Sequence, residues 1–471
     1  MAEKKSKGQK LSEELLSNPK SIGAKDAKFL DEANKFCEGY KKFLANKTER
    51  EAVEYAIPIL KKHKYTEYVP GKKYKAGDKF YLNNRGKDLI MCTKGKKPVS
   101  EGIRVSVAHL DSPRLDFKPH PLFEEGEMVY FKTHYYGGIK KYQWTTVPMS
   151  IRGVVILKDG TKVTINVGED ESDPSFIITD LLVHLARDQM QKTASKVVEG
   201  EQLNLLIGSW PYDDEKVAQK CKLAIMQILN EKYGITEGDF ESAELCAVPA
   251  FKARDLGFDR SLIAGYGQDD SSCAYAEFLA ELDTKNPEYT TMTIFADKEE
   301  TGSDGPTGMA SYFFRDFVED LAQAEGCEVR HVLRNSFCLS ADVGAGFDPA
   351  WPEVFERNNC AFMNYGPILA KYDGAGGKYS TNDASAEVVN FVQRIFREAD
   401  VTWQMAELGK IDVGGGGTIA SYISLNNIDT IDIGVPVLSM HAPVEVVAKA
   451  DEYMLYKAIY AVYNSKLPKE F

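Results

Sequence analysis

The chain has 471 residues, of which 43% are hydrophobic and 27% charged. That length can bury a large core and build two or three domains, and the composition excludes an intrinsically disordered chain. A balance of 70 acidic against 58 basic residues leaves a net charge of −12, which excludes a general binder of nucleic acid or of anionic membrane surfaces.

The first ten residues, MAEKKSKGQK, are basic and polar with no apolar stretch behind them. That is the pattern of a flexible tail and not of a secretory signal. No apolar run approaches the length of a membrane span. From Leu11 to Lys64 the spacing predicts helices, with Ser12 and Thr48 as N-caps and Thr48-Glu49-Arg50-Glu51 as a capping box. KFYLNNRGKDLIMCTKG predicts a hairpin turning near Asn84, Arg85 and Gly86. In IRVSVAHLDSP, Ile103, Val105 and Val107 alternate toward His109 and Asp111. From Pro113 to about Lys252 the character changes. Aromatic and β-branched runs, with a turn at Asp159-Gly160, predict a β-rich domain over residues 113–252 inserted into the first. Within it, DLLVHLARDQMQK and DDEKVAQKCKLAIMQILNEKYG read as helices, the second ending at Gly234. Beyond Ala253 strands and helices alternate again. Residues 1–112 and 253–471 therefore predict one α/β domain around a mainly parallel sheet covered on both faces.

The eight cysteines contain no CxxC pair. They read as reduced thiols of a cytoplasmic protein, neither disulfide staples nor a cysteine-built zinc site.

The stretch TTMTIFADKEETGSDG, from Thr290 to Gly305, carries the sharpest chemical signal. A mostly apolar strand runs into Glu299-Glu300 and a loop of turn formers. In extended chain the two carboxylates point to opposite sides, so one can ligate a cation while the other moves protons. An isolated Glu-Glu pair reads as a solvated turn, but further polar residues gather at other strand ends. His109 and Asp111 follow IRVSVA, Asp342 follows SFCLSA, His441 follows VPVLSM, and Asp269 with Asp270 precedes a helix. Beyond the carboxyl ends of the strands is where open α/β sheets bind ligands. Two imidazoles and several carboxylates suit a pair of divalent cations such as zinc, sharing a bridging carboxylate.

His109-Leu-Asp-Ser-Pro, Asp269-Asp270, Asp297-Lys-Glu-Glu-Thr-Gly-Ser, Ser340-Ala-Asp342 and Met440-His441 stand in the order of the aspartyl aminopeptidase family of dinuclear zinc metallopeptidases, which the chain resembles over nearly its whole length. The resemblance implies a three-layer α/β/α zinc-peptidase domain with an inserted oligomerisation domain. It implies two zinc ions, with His109 and Asp342 as terminal ligands, Glu300 and His441 as others, and Asp269 bridging. The context Gln268-Asp269-Asp270 departs from the family's and leaves Asp270 as the alternative bridge. Glu299 matches the general base that activates water, and Asp111 the acid that orients His109. His184 in LLVHLARD matches a histidine that reaches a neighbouring subunit's site. Lys371 and Lys378 flank a Gly-rich loop where the family carries positive charge for an acidic substrate side chain. Gly416 and Gly417 fall in a run that lines the family's substrate pocket. The implied activity is removal of N-terminal residues, Asp or Glu, from peptides by a dodecamer enclosing its sites in a chamber. Two other readings are a different amide hydrolase on the same scaffold and a catalytically silent assembly protein. The second predicts a lost ligand or base, and none is lost.

Overall fold

A computed structural model describes residues 5–17, 19–24 and 26–471. Its frame is a nine-stranded sheet in the order Thr66–Glu67, Lys79–Asn84, Asp88–Thr93, Thr290–Ala296, Ile103–His109, Phe337–Ala341, Asp429–Gly434, Ile368–Ala370, Gln404–Met405. Successive strand residues point to opposite faces, and the sheet sorts its apolar side chains accordingly. Met91, Ala108, Phe295 and Leu339 enter one core, while Ile90, Cys92, Val107, Ile294 and Cys338 enter the other. Helices Ala27–Phe43, Glu49–Lys62, Gln268–Asp283, Ala386–Glu398 and Lys449–Asn464 cover the first face. Phe313–Glu325, Val329–Asn335 and Ala420–Ser424 cover the second. The three layers follow.

The four middle strands, Thr290–Ala296, Ile103–His109, Phe337–Ala341 and Asp429–Gly434, run parallel. The flanks do not. Lys79–Asn84 and Asp88–Thr93 form the expected hairpin, with Arg85 and Gly86 at φ 60° and 70°, and a tight hairpin can add only antiparallel strands. On the other side Ile368–Ala370 is antiparallel to Asp429–Gly434.

A second, seven-stranded sheet takes all its strands from between Arg114 and Pro249, and every pairing in it is antiparallel. Gly160, at φ 85°, closes its Asp159-Gly160 turn. Helix Lys220–Tyr233 packs on this sheet and ends at Gly234, φ 72°, as its sequence predicts. A small third sheet joins Arg254–Leu256, Leu262–Gly265, Glu445–Ala448, Pro436–Leu438 and Gly344–Ala345. None of the helices among the described residues is long and apolar enough to cross a membrane.

Three local expectations are corrected. The polar N-terminal stretch is helical over Lys7–Leu15, because Ser6 and Gln9 close a capping box; Ser12 lies inside that helix and caps nothing. Residues 1–4 of the expected tail, and residues 18 and 25 of the expected helices, lie outside the described residues. At helix Glu49–Lys62 Thr48 does accept from the Glu51 amide, but the Glu51 carboxylate reaches back to the Lys47 amide instead of completing the box. Residues 180–192 form only the short turns Val183–Leu185 and Gln189–Gln191. Most of their apolar side chains stay uncovered by the described residues: Val183 is 77%, Leu185 68% and Met190 73% exposed, and only Ala186 is buried among them. A helical stripe without a partner surface has little to hold it.

Candidate metal centre

The sheets bring the chemistry together at the carboxyl ends of the middle strands. His109 is the last residue of Ile103–His109, Asp342 follows Phe337–Ala341, and Glu299 and Glu300 follow Thr290–Ala296. The third sheet delivers the rest. His441 lies beyond Pro436–Leu438, and Asp269 begins the helix entered from Leu262–Gly265.

Asp269 stands between the two imidazoles. Its Oδ1 is 3.2 Å from Nε2 of His109 and its Oδ2 is 3.1 Å from Nε2 of His441. Glu300 Oε1 lies 3.3 Å from His441 Nε2, while Asp342 Oδ1 and Glu299 Oε2 lie 3.9 and 4.0 Å from His109 Nε2. Ligand atoms of His109, Asp269 and Glu300 fall within 4.8 Å of one another, as do those of His109, Asp270 and Asp342. The glutamate pair was expected in extended chain, and that expectation is corrected. Glu299–Thr301 is a 3-10 turn entered through Lys298 at φ 68°, and not extended chain.

Both rings are held by the nitrogen that faces away from Asp269. His109 Nδ1 is 2.8 Å from the Asp111 carbonyl, and His441 Nδ1 is 2.7 Å from the Gly138 carbonyl. A carbonyl only accepts, so Nδ1 carries the proton and Nε2 presents its lone pair to the cluster in each neutral ring. Asp111 is completely buried and receives the amides of Glu299 and Glu300, both at 3.1 Å, and the Tyr136 hydroxyl at 2.7 Å. Burial and the Asp111 charge push the Tyr136 phenol upward, so it stays a donor. Glu445, also buried, accepts from the His441 amide at 2.7 Å and from those of Gln268 and Asp269 at 2.7 and 3.2 Å. It ties the His441 loop to the Asp269 turn. Tyr136, Gly138 and Glu445 escape a reading of strand ends, since their roles rest on contacts distant in sequence. The Gly137-Gly138 pair after an aromatic strand was the available signal.

The cluster is short of positive charge. Burial, reinforced by neighbouring carboxylates, pushes Glu300, Asp342 and Asp270 well above the usual carboxylate range and Glu299 up to about 7. Burial also works against the imidazolium of His441, but Asp269 and Glu300 outweigh it and lift that ring to about 10. Asp269 is buried as well, yet His109 and His441 hold its carboxyl below the ordinary value. Asp269 Oδ1, Glu300 Oε1 and both oxygens of Asp270 are buried without a hydrogen-bond partner. Unsatisfied buried carboxylate oxygens are costly, and divalent cations would relieve both the charge and the missing partners. The donor set of imidazole and carboxylate suits zinc.

The other sequence candidates stand apart from this cluster. His184 is exposed on the Val183–Leu185 turn. Lys378 is paired with Asp383 at 2.9 Å and lies over the Tyr372 ring, and Lys371 is exposed. The Gly414–417 run packs on the loop before helix Ala386–Glu398, where the Gly416 carbonyl accepts from the Gly374 amide and Gly417 abuts Ser380. The small cavity next to Asp342 is lined by Asp373, Glu407 and Asp432, and by neither lysine.

Comparison with known proteins agrees with this geometry. The family described as aminopeptidase I zinc metalloprotease (M18) matches residues 43–463. A probable M18 family aminopeptidase 1 of Clostridium acetobutylicum is 51% identical over 437 residues, covering 91% of this chain and 94% of the relative. The crystal structure of aminopeptidase I from Clostridium acetobutylicum aligns with a TM-score of 0.90 at 47% identity, covering 96% and 100% of the two chains. An M18-family aminopeptidase structure from Thermotoga maritima aligns with a TM-score of 0.91 at 40% identity, covering 95% and 99%. With the fold, the donor set and these relatives in agreement, the chain belongs to the M18 family of zinc metalloproteases and is an aminopeptidase.

Proposed function

We propose that the chain uses two zinc ions, one on each side of Asp269, to release single N-terminal residues from peptides. His109 and Asp342 would hold one ion and Glu300 and His441 the other, with Asp269 shared between the two. The observation that carries this reading is the Asp269 carboxylate, whose two oxygens face two different imidazoles at 3.2 and 3.1 Å. The bridge goes to Asp269 and not to Asp270 because Asp269 is the one seated between both rings.

Bound zinc supplies Lewis acidity, polarising the scissile carbonyl and lowering the pKa of a water. Glu299 lies near His109 Nε2 but belongs to neither cluster of ligand atoms, so it takes the proton of the attacking water and returns it to the leaving amine. Asp111 holds His109 and the Glu299-Glu300 turn in register. The surplus of carboxylates favours a substrate's free ammonium group, which restricts cleavage to the first peptide bond.

The resemblance to aspartyl aminopeptidases favours Asp or Glu at the N-terminus, with Lys371 and Lys378 as the attracting charges and Gly416 and Gly417 along the substrate. The assembly is a homo-oligomer, a dodecamer built through the domain of residues 113–252, with His184 reaching a neighbour's site. Its support is the exposed apolar strap around His184. The cytoplasm suits its eight free cysteines.

Hydrolysis of a peptide library by chelated and zinc-reloaded protein tests the proposal. Activity that vanishes with zinc, returns with it and requires a free N-terminus is the expected result. Cleavage of N-acylated or C-terminal bonds, or activity indifferent to chelation, contradicts it. An Asp/Glu optimum supports the two lysines, whereas an apolar or basic optimum removes them as the attracting charges.

A further inference from the structure

The strand Met128–Tyr136 belongs to the second sheet, yet the chain that leaves it reaches both halves of the metal centre. Tyr136 pairs across the sheet with Arg114, whose guanidinium lies over its ring at 4.3 Å. Arg114 is itself held by Glu49 at 2.7 Å and Asp116 at 2.8 Å, so the phenol cannot swing freely. Its hydroxyl donates to Asp111 Oδ2 at 2.7 Å, and Asp111 holds His109 and the Glu299-Glu300 amides. Two residues on, the Gly138 carbonyl accepts from His441 Nδ1 at 2.7 Å. Between them Gly137 adopts φ 73°, and a Cβ there would stand 3.0 Å from Glu300 Oε2.

One short segment thus touches the support of the first imidazole and the ring of the second, and runs beside the Glu300 carboxylate. We propose that residues 136–138 are positioning residues for both metal half-sites, which makes the inserted sheet a working part of the metal centre in addition to any role in assembly. The inference rests on the zinc reading above. Groups that orient ligands from behind typically change metal affinity on the order of 10–100-fold when removed. Tyr136→Phe keeps the ring and its Arg114 contact and removes only the donor to Asp111. Gly137→Ala keeps every hydrogen-bonding group and pushes on Glu300.

The test is zinc affinity of the full chain by chelator competition, together with the visible absorption of the cobalt-loaded protein, which reports ligand geometry. Tyr135→Phe, altered at an exposed neighbour, is the control. The expected result is zinc binding weakened about tenfold or more and an altered cobalt spectrum in Tyr136→Phe and Gly137→Ala, with the control unchanged, metal-free Tyr136→Phe melting as wild type does and Gly137→Ala, strained at its φ of 73°, melting lower but cooperatively. If Tyr136→Phe melts early, Gly137→Ala decides by the same two readouts. Wild-type affinity and spectrum in a folded Gly137→Ala together with Tyr136→Phe overturn the inference. A wild-type chain that takes up no zinc overturns the zinc reading as well, so the two failures are told apart.

Discussion

Glu299 and Glu300 occupy adjacent positions of one turn, and their surroundings separate their work. Glu300 points at His441 from 3.3 Å, whereas Glu299 comes no closer than 4.0 Å to His109. Glu299→Gln keeps the shape and removes the proton acceptor, so kcat should fall by about 10²–10⁴-fold while zinc content stays at the wild-type level. Steady-state kinetics alongside metal analysis check this, and loss of zinc in that variant would make Glu299 a ligand instead of a base. The residues at this scale were largely legible in the sequence because histidine is scarce, seven in the chain, and two of the seven follow apolar strands. Tyr136, Gly138 and Glu445 were not legible. Gly138 acts through its backbone carbonyl, and Tyr136 and Glu445 through partners that only the packing of separate sheets brings near.

Helix Lys449–Asn464 carries a second kind of buried acid. Asp451 accepts from the amides of Asn364 and Gly366 at 2.6 and 2.7 Å, fixing a loop that precedes Ile368–Ala370. Burial pushes its carboxyl up to about 7, with those two amides pulling the other way. The folded chain therefore retains a proton that the unfolded chain releases near pH ~4. The sign follows: this group's contribution to stability is fullest below about pH 4, declines as pH rises toward about 7, and is constant above. Replacing it by Asn should flatten the slope, so the difference in urea midpoint between wild type and Asp451→Asn should change between pH 5 and pH 7. An equal difference at both pH values would contradict the assignment. Element boundaries were legible where a local device sets them, as at Thr48, the Arg85-Gly86 hairpin and Gly234. They were not where the device is tertiary. Residues 180–192 have a helical pattern of apolar side chains and form turns, since the described residues leave most of those side chains uncovered.

The second sheet interrupts the first domain in sequence and touches its chemistry in space, so the molecule's two parts are joined at the metal centre. The second sheet was legible because composition shifts after Pro113 from alternating strands and helices to aromatic and β-branched runs. The parallel core was legible too, but its antiparallel flanks were underweighted, although the predicted hairpin already required one. Under the proposed assembly, the exposed strap around His184 packs against a neighbouring copy. Val183→Asp places a charge among apolar side chains meant for a neighbouring copy, so sedimentation should show a smaller species than the wild type. An unchanged sedimentation coefficient would remove the strap from the interface. The central claim is that Asp269 separates two cations, and anomalous diffraction from zinc-loaded crystals tests it most directly. The account predicts two peaks per chain, one between Asp269, His109 and Asp342 and one between Asp269, Glu300 and His441. A single peak, or zinc bound away from Asp269, would contradict it.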